Sequence, residues 1–108
     1  MADLLVTKAD DARSISVDLG DQIILQLAEN PTTGYRWELD GPVDPTLSTL
    51  SSEFNPDPGG GVGSGGTHVF TFRADQPGAT AIRLKLKRPW EQDDAAIERF
   101  HIDLQVNS

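Results

Sequence analysis

The chain has no cysteine in its 108 residues. Disulfide staples, thiolate zinc sites and cysteine nucleophiles are therefore excluded, and the fold must hold by packing alone. Such a chain suits a reducing compartment without requiring one. Positive charge is scarce as well: nine Lys and Arg stand against 17 Asp and Glu, a formal net charge of -8. That is the wrong sign for nucleic acid or for an anionic membrane surface, so neither is expected as a partner. No apolar run approaches the roughly 20 residues needed to cross a bilayer. The two histidines, His68 and His101, fall on different predicted strands with no acidic or thiol partner at ligand spacing. No metal and no cofactor is expected. Helical periodicity is missing too; Asp94 to Phe100 has room for one turn before strict alternation resumes.

The N-terminal Met1-Ala2-Asp3-Leu4 carries no basic segment followed by an apolar stretch, so no secretory leader is expected. The location that follows is cytoplasmic if Met1 is the native start, and periplasmic or secreted if a leader has been removed. Hydrophobic residues at 37% with 24% charged describe a globular chain. Its length predicts one domain over 1–108 with one core, monomeric when free.

What is present is period-two alternation, the mark of half-buried strands. Leu4 and Val6 open weakly; Ile15, Val17 and Leu19 alternate clearly before a turn at Gly20-Asp21. Ile23, Leu25 and Leu27 share a face. Tyr35 to Leu39 alternates aromatic and charged residues. Between Val43 and Pro58 the pattern is poor: Leu47, Leu50 and Phe54 predict a short edge strand, limited by Pro45, Pro56 and Pro58. Phe70 and Phe72, then Ile82, Leu84 and Leu86, then Phe100, Ile102, Leu104 and Val106 define three further inward faces. Arg83, Lys85 and Lys87 point outward. About seven to eight short strands with turns every eight to twelve residues predict an all-β, immunoglobulin-like antiparallel β-sandwich. Trp37, one position into a strand, is expected in its core.

Three connecting segments stand out. Asn30-Pro31-Thr32-Thr33-Gly34-Tyr35 combines a fixed φ at Pro31 with stiff, hydrogen-bonding threonines. Gly34 permits a positive φ where the chain reverses. The result is a short, pre-shaped loop with both threonines outward. Gly59 to Gly66 contains six of the ten glycines, and within it lies Gly63-Ser64-Gly65-Gly66. Arg88-Pro89-Trp90-Glu91 is a stiff loop with a large amphipathic tip, of the residue types enriched at interface hot spots. Alternate connections of a sandwich emerge at the same end, so the three loops are expected side by side.

Rival readings of each segment are weaker. Proline in the middle of Asn30-Pro31-Thr32 rules out a glycosylation acceptor. Gly61 to Gly66 has the GxGxxG spacing, but a strand follows it, and no helix N-terminus is available for a pyrophosphate. A plain flexible linker is its main competitor. Trp90 has the alternative of folding back as a lid on the sandwich. Nothing in the chain suggests a Ser-His-Asp site, and no enzymatic activity is expected.

An NPTTG-aromatic loop, a GxGG loop and an RPW loop, in that order over essentially the whole chain, resemble the chagasin family of cysteine-peptidase inhibitors. The resemblance implies the same sandwich and a reversible, tight-binding inhibitor whose partner is a papain-like cysteine peptidase. It also implies the loop roles. Asn30, Pro31, Thr32, Thr33, Gly34 and Tyr35 would enter the catalytic cleft, with both threonines near the enzyme's cysteine and histidine. Val62, Gly63, Ser64, Gly65 and Gly66 would run along the non-primed groove, with Val62 offered to the apolar S2 pocket. Arg88, Pro89, Trp90 and Glu91 would embrace the other side. The alternative is a non-inhibitory immunoglobulin-like binding or adhesion module that uses the same loop end.

Overall fold

A computed structural model of the chain describes residues 3–41, 45–56 and 65–108. Among these residues there are eight strands and three short 3-10 turns; the strands are β1 (Asp3–Thr7), β2 (Ser14–Asp18), β3 (Gln22–Glu29), β4 (Arg36–Leu39), β5 (Leu47–Pro56), β6 (Gly66–Ala74), β7 (Gly78–Lys87) and β8 (Glu98–Asn107). They form two four-stranded sheets, ordered β1-β3-β6-β5 and β2-β8-β7-β4. The inner faces are the predicted ones. Ile23, Leu25 and Leu27 of β3 stand opposite Phe72, Phe70 and His68 of β6, while Ile82 and Leu84 of β7 stand opposite Ile102 and Phe100 of β8. Phe72, Phe100, Ile23, Leu25, Leu27, Leu84 and Ile102 are fully buried. Each such side chain contributes about 1.5–3 kcal/mol relative to exposure. The immunoglobulin-like sandwich expected from the alternation is the fold observed.

The central ladders are antiparallel, but the outermost N-terminal strands are not. β1 pairs with β3, and β2 with β8, both in parallel. The turn Lys8–Asp10 lets the chain leave the edge of one sheet and join the edge of the other. There the Lys8 ammonium donates to the Arg99 carbonyl at 3.1 Å and sits 5.6 Å from the Trp37 ring. Asp11 accepts the His101 N–H at 3.0 Å; that bond, aided by nearby Lys8, holds its carboxyl below the usual range.

Two details differ from the sequence expectation. β5 is not short: it runs for ten residues along β6, and Pro56 ends it. A register shift between Thr49 and Ser51 leaves Leu50 43% exposed and explains why no clean alternation marks the strand. Leu19 is exposed because β2 already ends at Asp18; its N–H turns to the Asn107 carbonyl at 2.7 Å.

Candidate functional site: three loop stems at one end of the sandwich

The register brings the loop stems together. β3 ends at Glu29 opposite Gly66, where β6 begins, and Pro56 of β5 meets the same Gly66. β4 begins at Arg36 opposite Lys87, and β8 begins at Glu98 opposite Leu86. The connections 30–35 and 88–97 therefore lie at one end, and the β5–β6 connection starts and finishes there. Gly65 and Gly66 are described and sit at that end; Val62, Gly63 and Ser64 lie outside the described residues. Gly66 admits no side chain, since a Cβ would come 2.3 Å from the Asn55 carbonyl oxygen.

The first loop is wound tightly on itself. Pro31–Thr33 forms one 3-10 turn, and Gly34 takes a φ of 83°. The Asn30 side chain accepts the Thr32 N–H at 3.1 Å and the Thr32 hydroxyl at 2.6 Å. The Asn30 carbonyl accepts the Thr33 N–H at 3.2 Å and the Thr33 hydroxyl at 2.8 Å. This is the Asx- and Ser/Thr-turn chemistry of short polar side chains. Both threonines are exposed, and Tyr35 is half-buried.

The stems of this loop belong to different sheets, so no ladder joins them. Two bonds from Trp37 do so instead. Its indole N–H donates to the Ala28 carbonyl at 2.9 Å, and its backbone N–H donates to the Glu29 carboxylate at 2.8 Å. Trp37 is 4% exposed, the core residue expected from sequence. Glu29 takes the inward position after Ile23, Leu25 and Leu27, beside side-chain-free Gly66, and its side chain is 3% exposed. His68, also on the inner face, approaches the same carboxylate oxygen at 2.9 Å through Nδ1, while its Nε2 meets the Ser52 hydroxyl at 2.7 Å. The sequence places no acid at ligand spacing from His68; the β3–β6 register brings Glu29 to it from 39 residues away.

The Arg88 loop is held differently. The Glu91 N–H closes a turn on the Arg88 carbonyl at 3.0 Å. The buried Lys87 ammonium donates to the Glu91 carbonyl at 2.7 Å and the Arg88 carbonyl at 3.3 Å, and lies 3.5 Å from the Glu38 carboxylate. Lys85 and Lys87 do point away from the core, as alternation predicts, yet both are buried. Glu91 is half-buried, so the loop contributes its backbone more than an open carboxylate. Pro89 is exposed, and Trp90 is 75% exposed. Trp90 does not lie back as a lid.

The two loops touch. The Arg88 Nε–H donates to the Thr33 carbonyl at 3.2 Å, and the guanidinium stands 4.5 Å from the Tyr35 ring centre. The Trp90 indole edge rests on Gly34, where a Cβ would come within 3.0 Å of it. Beside this contact a largely apolar groove of about 480 Å³ runs past Thr33, Tyr35, Gly65, Leu86 and Ile97. Ile97, 56% exposed, is a site residue that the alternation missed because it lies one position outside β8. Glu29 and Lys87 were missed as well. For Glu29 a signal existed: an acid on the apolar face of a strand, at the loop end, needs partners.

A sandwich that gathers two stiffened loops, an exposed tryptophan and an apolar groove at one end has the build of a protein-binding domain. The model of the chagasin family of peptidase inhibitors matches residues 16–104, and the chain belongs to that family. It is similar to chagasin of Trypanosoma cruzi, 31% identical over 106 residues that cover 94% of this chain and 96% of the relative. It also resembles amoebiasin-2 of Entamoeba histolytica, 33% identical over 89 residues, with 82% and 72% covered. The crystal structure of a cysteine protease inhibitor from Entamoeba histolytica superposes with a TM-score of 0.86 at 27% identity, covering 98% of this chain and 96% of the other. The chain is thus an inhibitor rather than an enzyme.

Proposed function

We propose that this chain, an inhibitor of papain-like cysteine peptidases, acts as one domain over 1–108 and occludes the active-site cleft with the three loops whose stems meet at this end of the sandwich. Asn30–Tyr35 forms the central wedge, with Thr32 and Thr33 at the enzyme's catalytic pair. Arg88, Pro89, Trp90 and Glu91 form one flank, and Val62, Gly63, Ser64, Gly65 and Gly66 form the other. The observation that carries this reading is the packing of Trp90 on Gly34 and of Arg88 on Thr33 and Tyr35, which joins two loops into one surface. The groove beside Ile97 adds an apolar seat for the rim of the cleft.

Glycine-rich backbone approaches an extended substrate groove closely and pairs with it as a strand would. A wedge whose carbonyls never reach the attack geometry of the thiolate is held without being cut. The 30–35 and 88–91 loops, already held by their own bonds, lose little entropy on docking, so nanomolar affinity, about -12 kcal/mol, is within reach of a standard-size interface. Titration of papain on a fluorogenic peptide tests the reading. Stoichiometric loss of activity, with intact inhibitor recovered after long incubation, is expected. No effect at micromolar protein, or steady cleavage within 30–35 with recovery of activity, defeats it.

A further inference from the structure

We propose that Glu29 is a positioning residue for the Asn30–Tyr35 loop, acting through the Trp37 N–H and braced by His68 and Ser52; the inhibitory consequence rests on the function proposed above. A β-hairpin fixes the attitude of its loop through the ladder beneath it. The Asn30 loop has no ladder, because β3 and β4 lie in different sheets. β4 is an edge strand, and its Trp37 N–H finds its acceptor in the Glu29 carboxylate across the gap, eight residues back along the chain. One oxygen of that carboxylate takes both the Trp37 N–H at 2.8 Å and the His68 ring at 2.9 Å. His68 stacks on Phe70 at 4.2 Å between ring centres and is steadied at Nε2 by Ser52. The carboxylate is therefore fixed from the core side, and it fixes the point at which β4 leaves the loop. The internal bonds of the loop set its shape; Glu29 sets its direction.

The same atoms have the order of a serine-hydrolase relay, from Ser52 to His68 to Glu29. Two features oppose that use. Ser52 lies in extended ladder opposite Phe70 rather than on a strained turn, and the oxygen facing His68 is shared with a backbone N–H.

The test compares Glu29→Leu, which removes the acceptor, with Glu29→Gln, which keeps one, and with His68→Gln, which keeps Glu29 but alters its brace. Amide hydrogen exchange of the free protein reads the loop without any peptidase. In Glu29→Leu, exchange at Trp37 and Thr33 is expected to rise by on the order of tenfold beyond the change in β7 and β8. Papain inhibition is expected to weaken by a similar factor, because fewer molecules hold the docking-competent loop. Glu29→Gln restores most of both, and His68→Gln gives a smaller change of the same kind. If Glu29→Leu does not fold, the Gln variants carry the comparison alone: loop exchange raised selectively in His68→Gln supports the proposal, and unchanged loop exchange defeats it. Uniform acceleration across all strands, with Gln no better than Leu, means a purely structural carboxylate and overturns it. Hydrolysis of an activated ester that is abolished in Ser52→Ala overturns it in favour of the relay. Failure of the wild type to inhibit papain defeats the function proposed above and leaves the exchange result standing.

Discussion

The Asn30–Tyr35 loop and the Arg88–Glu91 loop meet at Thr33, Gly34 and Tyr35, yet they are stiffened by opposite means. The first is held by its own short polar side chains, four bonds converging on Asn30, and by a carboxylate at its base. The second is closed by a turn bond from Glu91 to Arg88 and is gripped from below by a long cation, Lys87, which reaches two of its carbonyls. The first presents small groups and the second a large aromatic surface that is mostly uncovered. A wedge needs a fixed shape, which many local bonds supply. A flank needs area, which one tryptophan supplies on a base that need only stay in place. The difference predicts that substitutions in the two loops divide differently between stability and affinity.

The largest effect tests the base of the first loop. Trp37→Ala is expected to lower stability by about 3–5 kcal/mol, read by denaturant unfolding, since it empties a core site and removes the indole bond to the Ala28 carbonyl, leaving only the backbone bond to Glu29. Next, Trp90→Ala is expected to weaken papain binding by about 2 kcal/mol or more, roughly thirtyfold in Kd, while the thermal midpoint moves only a few degrees. The reverse pattern, with Trp90→Ala unfolding the protein and Trp37→Ala sparing it, breaks the comparison and moves the interface to a sheet face. Lys87→Met keeps the stem's bulk and removes the clamp. A loss of about 1.5–3 kcal/mol in affinity is expected, dissociation quickening more than association slows, because charged donors to two carbonyls are gone. Equal inhibition by Lys87→Met shows that the turn bond suffices. The smallest effect is expected for Asn30→Ala, about 1 kcal/mol in affinity, since the backbone bond from Thr33 to residue 30 survives. Calorimetric titration against papain orders these variants.

Much of this molecule could be read from alternation. Ile23 to Leu27, Phe70 to Phe72, Ile82 to Leu84 and Phe100 to Val106 each announce an inward face, and Trp37 and Trp90 sort correctly into core and surface. Where alternation is interrupted, reading stops. The bulge at Thr49/Ser51 hid the length of β5, because two residues of one strand there oppose one of the next. The parallel pairing of β1 with β3 and of β2 with β8 left no trace, since parallel and antiparallel edges share one side-chain period. Lys85 and Lys87 alternate as solvent residues do. Their burial comes from carbonyls and carboxylates that arrive from the following loop and from β4. Glu29 and His68 each occupy an inward position, but the bond between them spans 39 residues and needs the register to be known. Local chemistry shaped the Asn30 turn; distant chemistry aims it.

The crossing of the N-terminal segment from one sheet to the other has a consequence for how the chain folds. Among the described residues β2 has only β8 as its ladder partner, and the Asp11 carboxylate meets the His101 N–H 90 residues away in sequence. β1 finds β3 early, whereas β2 waits without its ladder partner until β8 has left the ribosome. Closing so long a loop before any reward is received makes the step slow. The nascent chain meanwhile exposes Ile15 and Val17 on a free edge, the kind of strand that pairs with a neighbouring copy. Fusing a long carboxy-terminal partner does not prolong that wait, whereas trimming β8 by even a few residues removes the closing strand and is expected to turn soluble product into aggregate.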